Sequence, residues 1–369
     1  MKVDFIDLRL QYLAIQNEID TALKSVMTDC AFSAGKYVNA FEENFARAVG
    51  AKYCVGVNSG TSALHSALLG LGIGLGDEVI VPTNTFFATP EAVSLTGAVP
   101  VFVDCEPVYY GIDYKAIEDK ISSKTKAIIP VHLYGESAEL APIVDIAKKN
   151  DLHLIEDCSQ SHLTKYGEKT VGTFGIMGCF SFYPGKNLGA YGEAGAVVTN
   201  DDQLYLKLMA MRDHGSYEKY HHDFVGHNYR MEGFQGAVLN VKLPYLKKWT
   251  DMRQQNAAIY RKHLNGIGEI TPPSARKSDT HVYHLYSVLA KNRNKLRQYL
   301  LDNSIATGIH YPIPCHLQKA YSHLAYQCGS FSCSETIADE QLSLPMYPEL
   351  TENQIEYICA TIKNFYQSN

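Results

Sequence analysis

A lysine at position 186 follows an aromatic, glycine-containing segment that reads Phe-Ser-Phe-Tyr-Pro-Gly. This segment continues a strand-like apolar run, and a second apolar run begins at Ala196, so the lysine amine is expected where the backbone leaves the core. An amine removed from water has a lowered pKa and can attack a carbonyl to form a Schiff base. Lys186 therefore predicts a covalent link to an aldehyde, and pyridoxal 5'-phosphate (PLP) is the cofactor that fits best.

Asp157 supplies the acid that the pyridine nitrogen of PLP requires. It ends the apolar run at 153–157, and a carboxylate at the carboxyl end of a buried strand faces the crevice in which α/β proteins bind ligands. Paired with the ring nitrogen, it would keep the pyridine protonated, so that electrons are drawn from the substrate carbon. A helix N-cap is an equally good interpretation of Asp157 when this residue is considered alone.

Two further segments follow predicted strands and could hold the rest of the cofactor. Ser59, Gly60 and Thr61 lie between a strand and a helix, where small residues and free N–H groups can bind a phosphate. Ser181 could add a hydroxyl to this cradle, and Phe86 could stack on the pyridine ring. Each signal is modest alone, since such turns and core phenylalanines are common. Together they predict one site, because all of them fall at the carboxyl ends of predicted strands.

Short apolar runs alternate with helix-like stretches through the first part of the chain. This alternation predicts an α/β domain with a mixed, mainly parallel sheet that helices cover on both faces. We expect a large PLP-binding domain over 1–245 and a smaller α+β domain over 246–369. Apolar periodicity predicts a helix over 10–28, which could pack on the small domain, and alternation predicts a half-exposed strand over 281–288. The strands predicted for the large domain are 53–57, 79–81, 99–103, 127–131, 152–155, 179–182 and 196–199.

Composition limits the classes of function. The chain has 369 residues, a formal net charge of −6 and nine cysteines, none of them in a C-x-x-C pair. An acidic balance gives no electrostatic reason to bind nucleic acid or an anionic membrane, and no apolar run reaches membrane-spanning length. We therefore expect a cytoplasmic protein with free thiols and without a metal site.

Six segments in chain order carry a resemblance to a known family: NSGTSAL at 58–64, TFFAT at 85–89, EDCSQ at 156–160, FSFYPGKNLG at 180–189, GHNYRM at 226–231 and HYPIP at 310–314. Across nearly the whole chain, they resemble the DegT/DnrJ family of sugar-nucleotide aminotransferases, which are PLP enzymes of fold type I. The segment at 180–189, which contains Lys186, is the most specific of the six.

The resemblance implies roles for further residues. Gln160 would hydrogen-bond the 3-hydroxyl of the cofactor. Asn228 would reach the phosphate from the neighbouring subunit, so that an obligatory homodimer shares its active sites. Tyr183, His310 and Tyr311 would lie near the sugar or the amino donor.

The resemblance also implies a two-step transamination from L-glutamate to a nucleotide-linked keto-sugar. Members that remove hydroxyl groups carry histidine in place of the lysine, so Lys186 favours amination. Residues 159–162 and 230–237 look more like members that act on dTDP-3-keto-6-deoxyhexoses. We therefore expect a dTDP-3-amino-3,6-dideoxyhexose as product, for O-antigen, S-layer or natural-product sugars. Amination at C-4 and a non-catalytic, PLP-binding regulatory protein are the two alternatives.

Overall fold

The structure is a computed structural model that describes residues 1–276 and 280–368. In these residues, the strands form a sheet of seven, a sheet of three and a two-stranded hairpin. The strands are β1 (Tyr53–Val57), β2 (Glu78–Pro82), β3 (Val99–Val103), β4 (Thr125–Ile128), β5 (His153–Asp157), β6 (Lys165–Tyr166), β7 (Lys169–Thr170), β8 (Met177–Ser181), β9 (Gly195–Thr199), β10 (Ile270–Thr271), β11 (Tyr286–Ala290) and β12 (Gln341–Leu344). The helices are α1 (Leu8–Ala14), α2 (Gln16–Thr28), α3 (Lys36–Val49), α4 (Gly60–Gly70), α5 (Ala88–Leu95), α6 (Leu140–Lys149), α7 (Asp202–Met211), α8 (Gly233–Lys242), α9 (Leu246–Leu264), α10 (Arg293–Asp302), α11 (Ser332–Glu340) and α12 (Glu352–Gln367).

The large sheet confirms the predicted mixed, mainly parallel arrangement. Its strand order is β1-β9-β8-β5-β4-β2-β3. β9 runs antiparallel to both of its neighbours, whereas the pairs from β8 to β3 are all parallel. Since β9 reverses direction between β1 and β8, the strands β1, β2, β4, β5 and β8 all end at one edge of the sheet. The segments that follow these strands therefore meet at that edge.

Helices cover both faces of the large sheet, as its solidly apolar strands require. Successive side chains of a strand point to opposite faces, and β8 shows this alternation clearly. Cys179 packs in the cluster that contains α4, α5 and α7, while its neighbour Phe180 packs in the cluster that contains α3 and α8. The sheet is thus the middle layer of three.

The second sheet, in the order β10-β11-β12, is antiparallel and has its own apolar core. α9 and α12 pack against each other and contribute Tyr260 and Ile358 to this core. A capping box between Thr351 and Gln354 starts α12. α9 begins at Leu246, and the domain division at 245 stays a prediction. None of the described helices is long and apolar enough to cross a membrane.

Two expectations from the sequence differ from the structure. The half-exposed strand over 281–288 is instead β11, which begins at Tyr286 and is mostly buried, because it is the central strand of the second sheet. The helix over 10–28 is broken at Ile15 into α1 and α2. α2 packs against α8, and Trp249 of α9 lies in the same cluster.

The aromatic cluster behind β8 generates a stability prediction. Phe45 is fully buried, and its ring lies edge-on to the rings of Phe180 and Phe182, at 5.0 and 5.1 Å between centroids. Phe45→Ala should lower the free energy of unfolding by about 3–5 kcal/mol, because it leaves a cavity in close-packed surroundings. Denaturant unfolding followed by circular dichroism measures this change. Leu75→Ala, at a side chain that is 94% exposed, is the control, and an equal loss in both variants would contradict the prediction.

Candidate active site

A cavity of about 600 Å³ opens at the carboxyl edge of the large sheet, and residues near the second sheet close its other side. The structure brings together in its wall every sequence-predicted site residue except Asn228. These residues are Ser59, Gly60, Thr61, Phe86, Asp157, Gln160, Ser181, Tyr183, Lys186, His310 and Tyr311. Residues that follow four separate strands, β1, β2, β5 and β8, thus meet in one space, which makes the cavity the candidate active site.

Lys186 lies in a tight loop between β8 and β9. Its backbone N–H donates to the carbonyl of Tyr183 at 2.8 Å. The loop then folds back so closely that a Cβ atom at Gly189 would lie 2.2 Å from the carbonyl oxygen of Pro184. Burial of the amine lowers the pKa of Lys186 to about 8, while the charge of Asp157 acts in the opposite direction. At pH 7 about a tenth of this amine is therefore neutral and nucleophilic, far more than for a lysine with the ordinary pKa.

Asp157 is buried at the end of β5, and two hydrogen bonds orient its carboxylate. Oδ2 accepts from the hydroxyl of Thr89 at 2.8 Å, and Oδ1 accepts from the backbone N–H of Ser159 at 3.0 Å. Each oxygen keeps capacity to accept another hydrogen bond. The carboxylate is thus held in a fixed position in which it can pair with a protonated ring nitrogen.

The N-terminus of α4 forms a cradle for an anion. Ser59 is the N-cap, and its hydroxyl accepts from the backbone N–H of Ser62 at 3.1 Å. The N–H groups of Gly60 and Thr61 belong to the first helical turn and have no partner within the helix, where the helix dipole also favours negative charge. A Cβ at Gly60 would lie 2.6 Å from the Cβ of Ser181, so glycine is what allows the cradle to approach β8.

Gln160 and the aromatic residues line the wall next to Asp157. The side-chain oxygen of Gln160 accepts from the backbone N–H of Tyr134 at 2.7 Å, and its Nε2 donates to the hydroxyl of Tyr311 at 3.1 Å. The amide is therefore oriented and retains one N–H for a ligand. Phe86 is 54% exposed in the cavity with its ring 5.4 Å from that of Tyr311, whereas Phe87 packs against the core.

Asn228 is the predicted residue that does not line the cavity of its own chain. Its backbone carbonyl accepts from the side chain of Asn58 at 3.5 Å, and its backbone pairs with Asp213. The segment thus runs beside the end of β1 without presenting Asn228 to the described cavity wall. Its contribution from a neighbouring subunit stays a prediction.

Several residues of the cavity wall were not predicted from the sequence, among them His284, Phe5 and Ile6. Nδ1 of His284 lies 3.3 Å from Oδ1 of Asn187, and burial together with the charge of Lys186 lowers its pKa well below the usual value. His284 lies in the segment 281–288, for which the alternating pattern predicts a strand and gives no sign of a site residue. Phe5 and Ile6 precede the first periodic stretch, and no local pattern marks them.

A half-buried lysine, an acid at the end of the adjacent central strand and a phosphate cradle at a helix N-terminus define the site of a fold-type I PLP enzyme. The chain belongs to the DegT/DnrJ/EryC1/StrS aminotransferase family, whose pattern its residues 13–363 match. The sequence-based assignments of family, fold, transaminase activity and PLP as cofactor are confirmed. The specific contacts of individual residues with PLP stay predictions.

Three curated relatives match over nearly their whole length. "Pleiotropic regulatory protein" of Geobacillus stearothermophilus is 42% identical over 369 residues, which cover 100% of this chain and 99% of the relative. "UDP-N-acetyl-3-dehydro-alpha-D-glucosamine 3-aminotranferase" of Acidithiobacillus ferrooxidans is 42% identical over 362 residues, 98% of this chain and 97% of the relative. "dTDP-3-amino-3,6-dideoxy-alpha-D-galactopyranose transaminase" of Aneurinibacillus thermoaerophilus is 43% identical over 363 residues, 98% and 99% of the two chains.

A solved structure has the same fold. The crystal structure of DesV from S. venezuelae, in complex with a ketimine intermediate, superposes with a TM-score of 0.97 at 39% identity. The match covers 99% of this chain and 98% of that chain. The three-layer fold of this chain is therefore shared with DesV over nearly the whole of both chains.

The environment of Lys186 generates a pH prediction. In the cofactor-free protein, carbamylation of Lys186 by cyanate should rise with pH through a midpoint at about 8 and then level off, since only the neutral amine reacts and burial lowers its pKa. Asp157→Asn should move the midpoint to lower pH, because the carboxylate raises the pKa of the amine. Peptide mass spectrometry measures both rates.

Lys36 is the internal control for this experiment. It is exposed, and its hydrogen bond with Asp29 raises its pKa above 10.5. Its carbamylation should therefore keep rising over the range in which that of Lys186 levels off. Parallel profiles for the two lysines would refute the lowered pKa of Lys186.

Proposed function

We propose that this aminotransferase transfers the amino group of L-glutamate to C-3 of a dTDP-linked 3-keto-6-deoxyhexose. The products would be 2-oxoglutarate and a dTDP-3-amino-3,6-dideoxyhexose for O-antigen, S-layer or natural-product sugars. The observation that carries the reaction type is the meeting of Lys186, Asp157 and the N-terminus of α4 in one cavity. Amination at C-3 is supported by two relatives of 42% and 43% identity whose names place the amine at position 3.

The residues of the cavity fit PLP. When bound, PLP supplies an aldehyde that the lysine amine attacks and a ring that withdraws electrons from the substrate carbon. Asp157 would accept a hydrogen bond from the ring nitrogen, since Thr89 and Ser159 already hold its carboxylate in place. The first-turn N–H groups of α4, with the hydroxyl of Ser181, would bind the phosphate.

Lys186 would carry the proton in both half-reactions. While its amine is not bound to the cofactor, it would be partly neutral, because burial lowers its pKa to about 8. It can then take the proton from the α-carbon of glutamate as a general base and deliver it again as a general acid. In the second half-reaction the same amine would deliver a proton to C-3 of the sugar. Donor and acceptor thus use one cavity in turn, and the kinetics should be ping-pong.

A homodimer would complete the site. In its own chain Asn228 does not line the cavity, although its backbone lies beside the strand that leads to Ser59. A side chain placed in this way can serve the phosphate of another subunit across a two-fold axis. An interface of this kind is isologous, so each subunit would give and receive one Asn228.

A substrate panel tests the position of amination. The purified enzyme with L-glutamate should aminate dTDP-3-keto-6-deoxyhexose with a kcat/KM at least about a hundredfold above that for the 4-keto isomer, because a cavity built for one carbonyl position misplaces the other. UDP-linked 3-keto-sugars test the nucleotide in the same assay. NMR of the product locates the new amine, and a product aminated only at C-4 would favour the alternative position.

A regulatory role without catalysis is the second candidate, and the name of the Geobacillus relative favours it. The two functions differ in what L-glutamate does to the bound cofactor. The proposed enzyme should lose its long-wavelength PLP absorbance within seconds of glutamate addition and release one equivalent of 2-oxoglutarate. Lys186→Ala should abolish both changes, and Lys186→Arg is the charge-conserving control. An unchanged spectrum in the wild-type protein with cofactor bound would support the regulatory role.

Subunit mixing tests the shared site. Lys186→Ala and Asn228→Ala should each be inactive alone, whereas refolded mixtures should regain roughly a quarter of wild-type activity, since about half of random dimers are mixed and each holds one intact site. Sedimentation velocity checks that both variants dimerise. Dimeric mixtures that stay inactive would show that Asn228 does not act across the interface.

A further inference from the structure

The segment that precedes α1 is built into the wall of the cavity. The backbone N–H of Val3 donates to the carbonyl of Ser304 at 2.9 Å, and the N–H of Ala306 donates to the carbonyl of Val3 at 2.9 Å. The side chain of Val3 is buried in the core of the second sheet. These bonds hold the next residues against the cavity, where Phe5 and Ile6 are part of the lining.

Phe5 stacks on the imidazole of His310. The two ring centroids are 5.7 Å apart, and the ring planes differ by 19°. Gly308 makes this approach possible, because a Cβ at that position would lie 2.6 Å from Cε1 of His310 and 3.2 Å from Cζ of Phe5. One face of the imidazole is therefore covered by a ring that belongs to a distant part of the chain.

The rest of the His310 side chain is held from the second sheet. Its Nδ1 lies 2.9 Å from the hydroxyl of Ser343, and its backbone N–H donates to Oε1 of Gln341 at 2.7 Å. Within residues 1–276 and 280–368, Nε2 of His310 has no hydrogen-bond partner, and the ring lines the cavity. Nε2 is thus the nitrogen that remains for a ligand, and its direction depends on how the ring is clamped.

Phe5 also joins the apolar part of the cavity wall. It packs against the cluster that contains Val131 and Leu285, both of which line the cavity, while its neighbour Ile6 packs in the cluster of Met346. A five-carbon amino acid cannot touch all walls of a cavity of about 600 Å³. A hexose that carries a nucleotide fills far more of this space and depends on the walls for its orientation.

We propose that Phe5 is a positioning residue that holds the His310 imidazole in place for the acceptor sugar. The inference rests on the proposed function, because it names the acceptor as a bulky keto-sugar nucleotide. It adds that the segment before α1 is part of the acceptor site. The donor half-reaction should depend on it much less, since glutamate is small.

Single-turnover kinetics test this split. In the holoenzyme, Phe5→Ala should lower the rate constant of the acceptor half-reaction, divided by its half-saturation concentration, by about ten- to a hundredfold. The donor half-reaction with L-glutamate should stay within about twofold of wild type. Phe5→Tyr keeps the stacked ring and should restore the acceptor step. Leu10→Ala, at an exposed side chain of α1 outside the cavity lining, should change neither step.

A second readout reports on the imidazole without catalysis. Burial, followed by the charge of Lys186, lowers the pKa of His310 to about 4. Lys186, His284 and Tyr311 are titratable side chains near this ring, and the hydroxyl of Tyr134 donates to the backbone carbonyl of His310. In Phe5→Ala, water should reach the uncovered face, and the pKa should rise toward the ordinary value of about 6.5. NMR of ¹⁵N-labelled histidine in the holoenzyme measures the shift, with His310→Asn to assign the signal.

The possible results distinguish a failure of the positioning role of Phe5 from a failure of the proposed function. An equal loss in both half-reactions, or an unchanged acceptor step in Phe5→Ala, would overturn the positioning role. An unchanged pKa of His310 would overturn it as well, even if activity falls, because the ring would then not depend on Phe5. If wild-type enzyme does not react with glutamate at all, the proposed function fails, and the NMR titration still decides whether Phe5 clamps His310.

Discussion

The amine of Lys186 must be shielded from water, so that its pKa is lowered. It must also lie close enough to Asp157 for both groups to bind one ligand. These two requirements oppose each other, since burial lowers the pKa of an amine and a nearby carboxylate raises it. In this protein burial dominates, and the pKa settles at about 8. Much of the surrounding structure serves to keep this balance. The loop around Gly189 folds too tightly for a side chain at that position, and hydrogen bonds from Thr89 and Ser159 hold the carboxylate in place.

The strand order of the large sheet brings Lys186, Asp157 and the N-terminus of α4 together. Asp157 ends β5 and Ser181 ends the adjacent parallel strand β8. Ser59 follows β1, which lies two positions beyond β8 in the sheet. The antiparallel β9 allows this, because it returns the chain from the lysine loop and still leaves β1 pointing in the same direction as β8. The cavity therefore arises from topology: Asp157 and Ser181 are held at strand ends and Ser59 at a helix N-terminus, and Lys186 lies in the tight loop that joins β8 to β9.

The far wall of the cavity has a different origin. It comes from residues around the second sheet and from the segment before α1, which are far apart in the chain. His310 is held by Ser343 and Gln341 on one side and by Phe5 on the other, and Gly308 supplies the space. The lysine side carries the groups that fit PLP, whereas this wall would face the acceptor sugar in the proposed function. Relatives of nearly equal identity carry names with different nucleotides and even a regulatory name, so differences in function are to be sought in this wall.

The sequence by itself determined the reactive groups. Lys186, Asp157 and Ser59 each follow an apolar strand, and a strand end is a local feature that the order of residues reveals. The strands of the large sheet were also predictable, because an apolar run is a local feature. The stacking of Phe5 on His310, the place of His284 in the cavity and the break of the first helix at Ile15 were decided only by the tertiary structure. Each of these depends on contacts between residues that are distant in the chain or on packing against another element, and no spacing within one segment records such contacts.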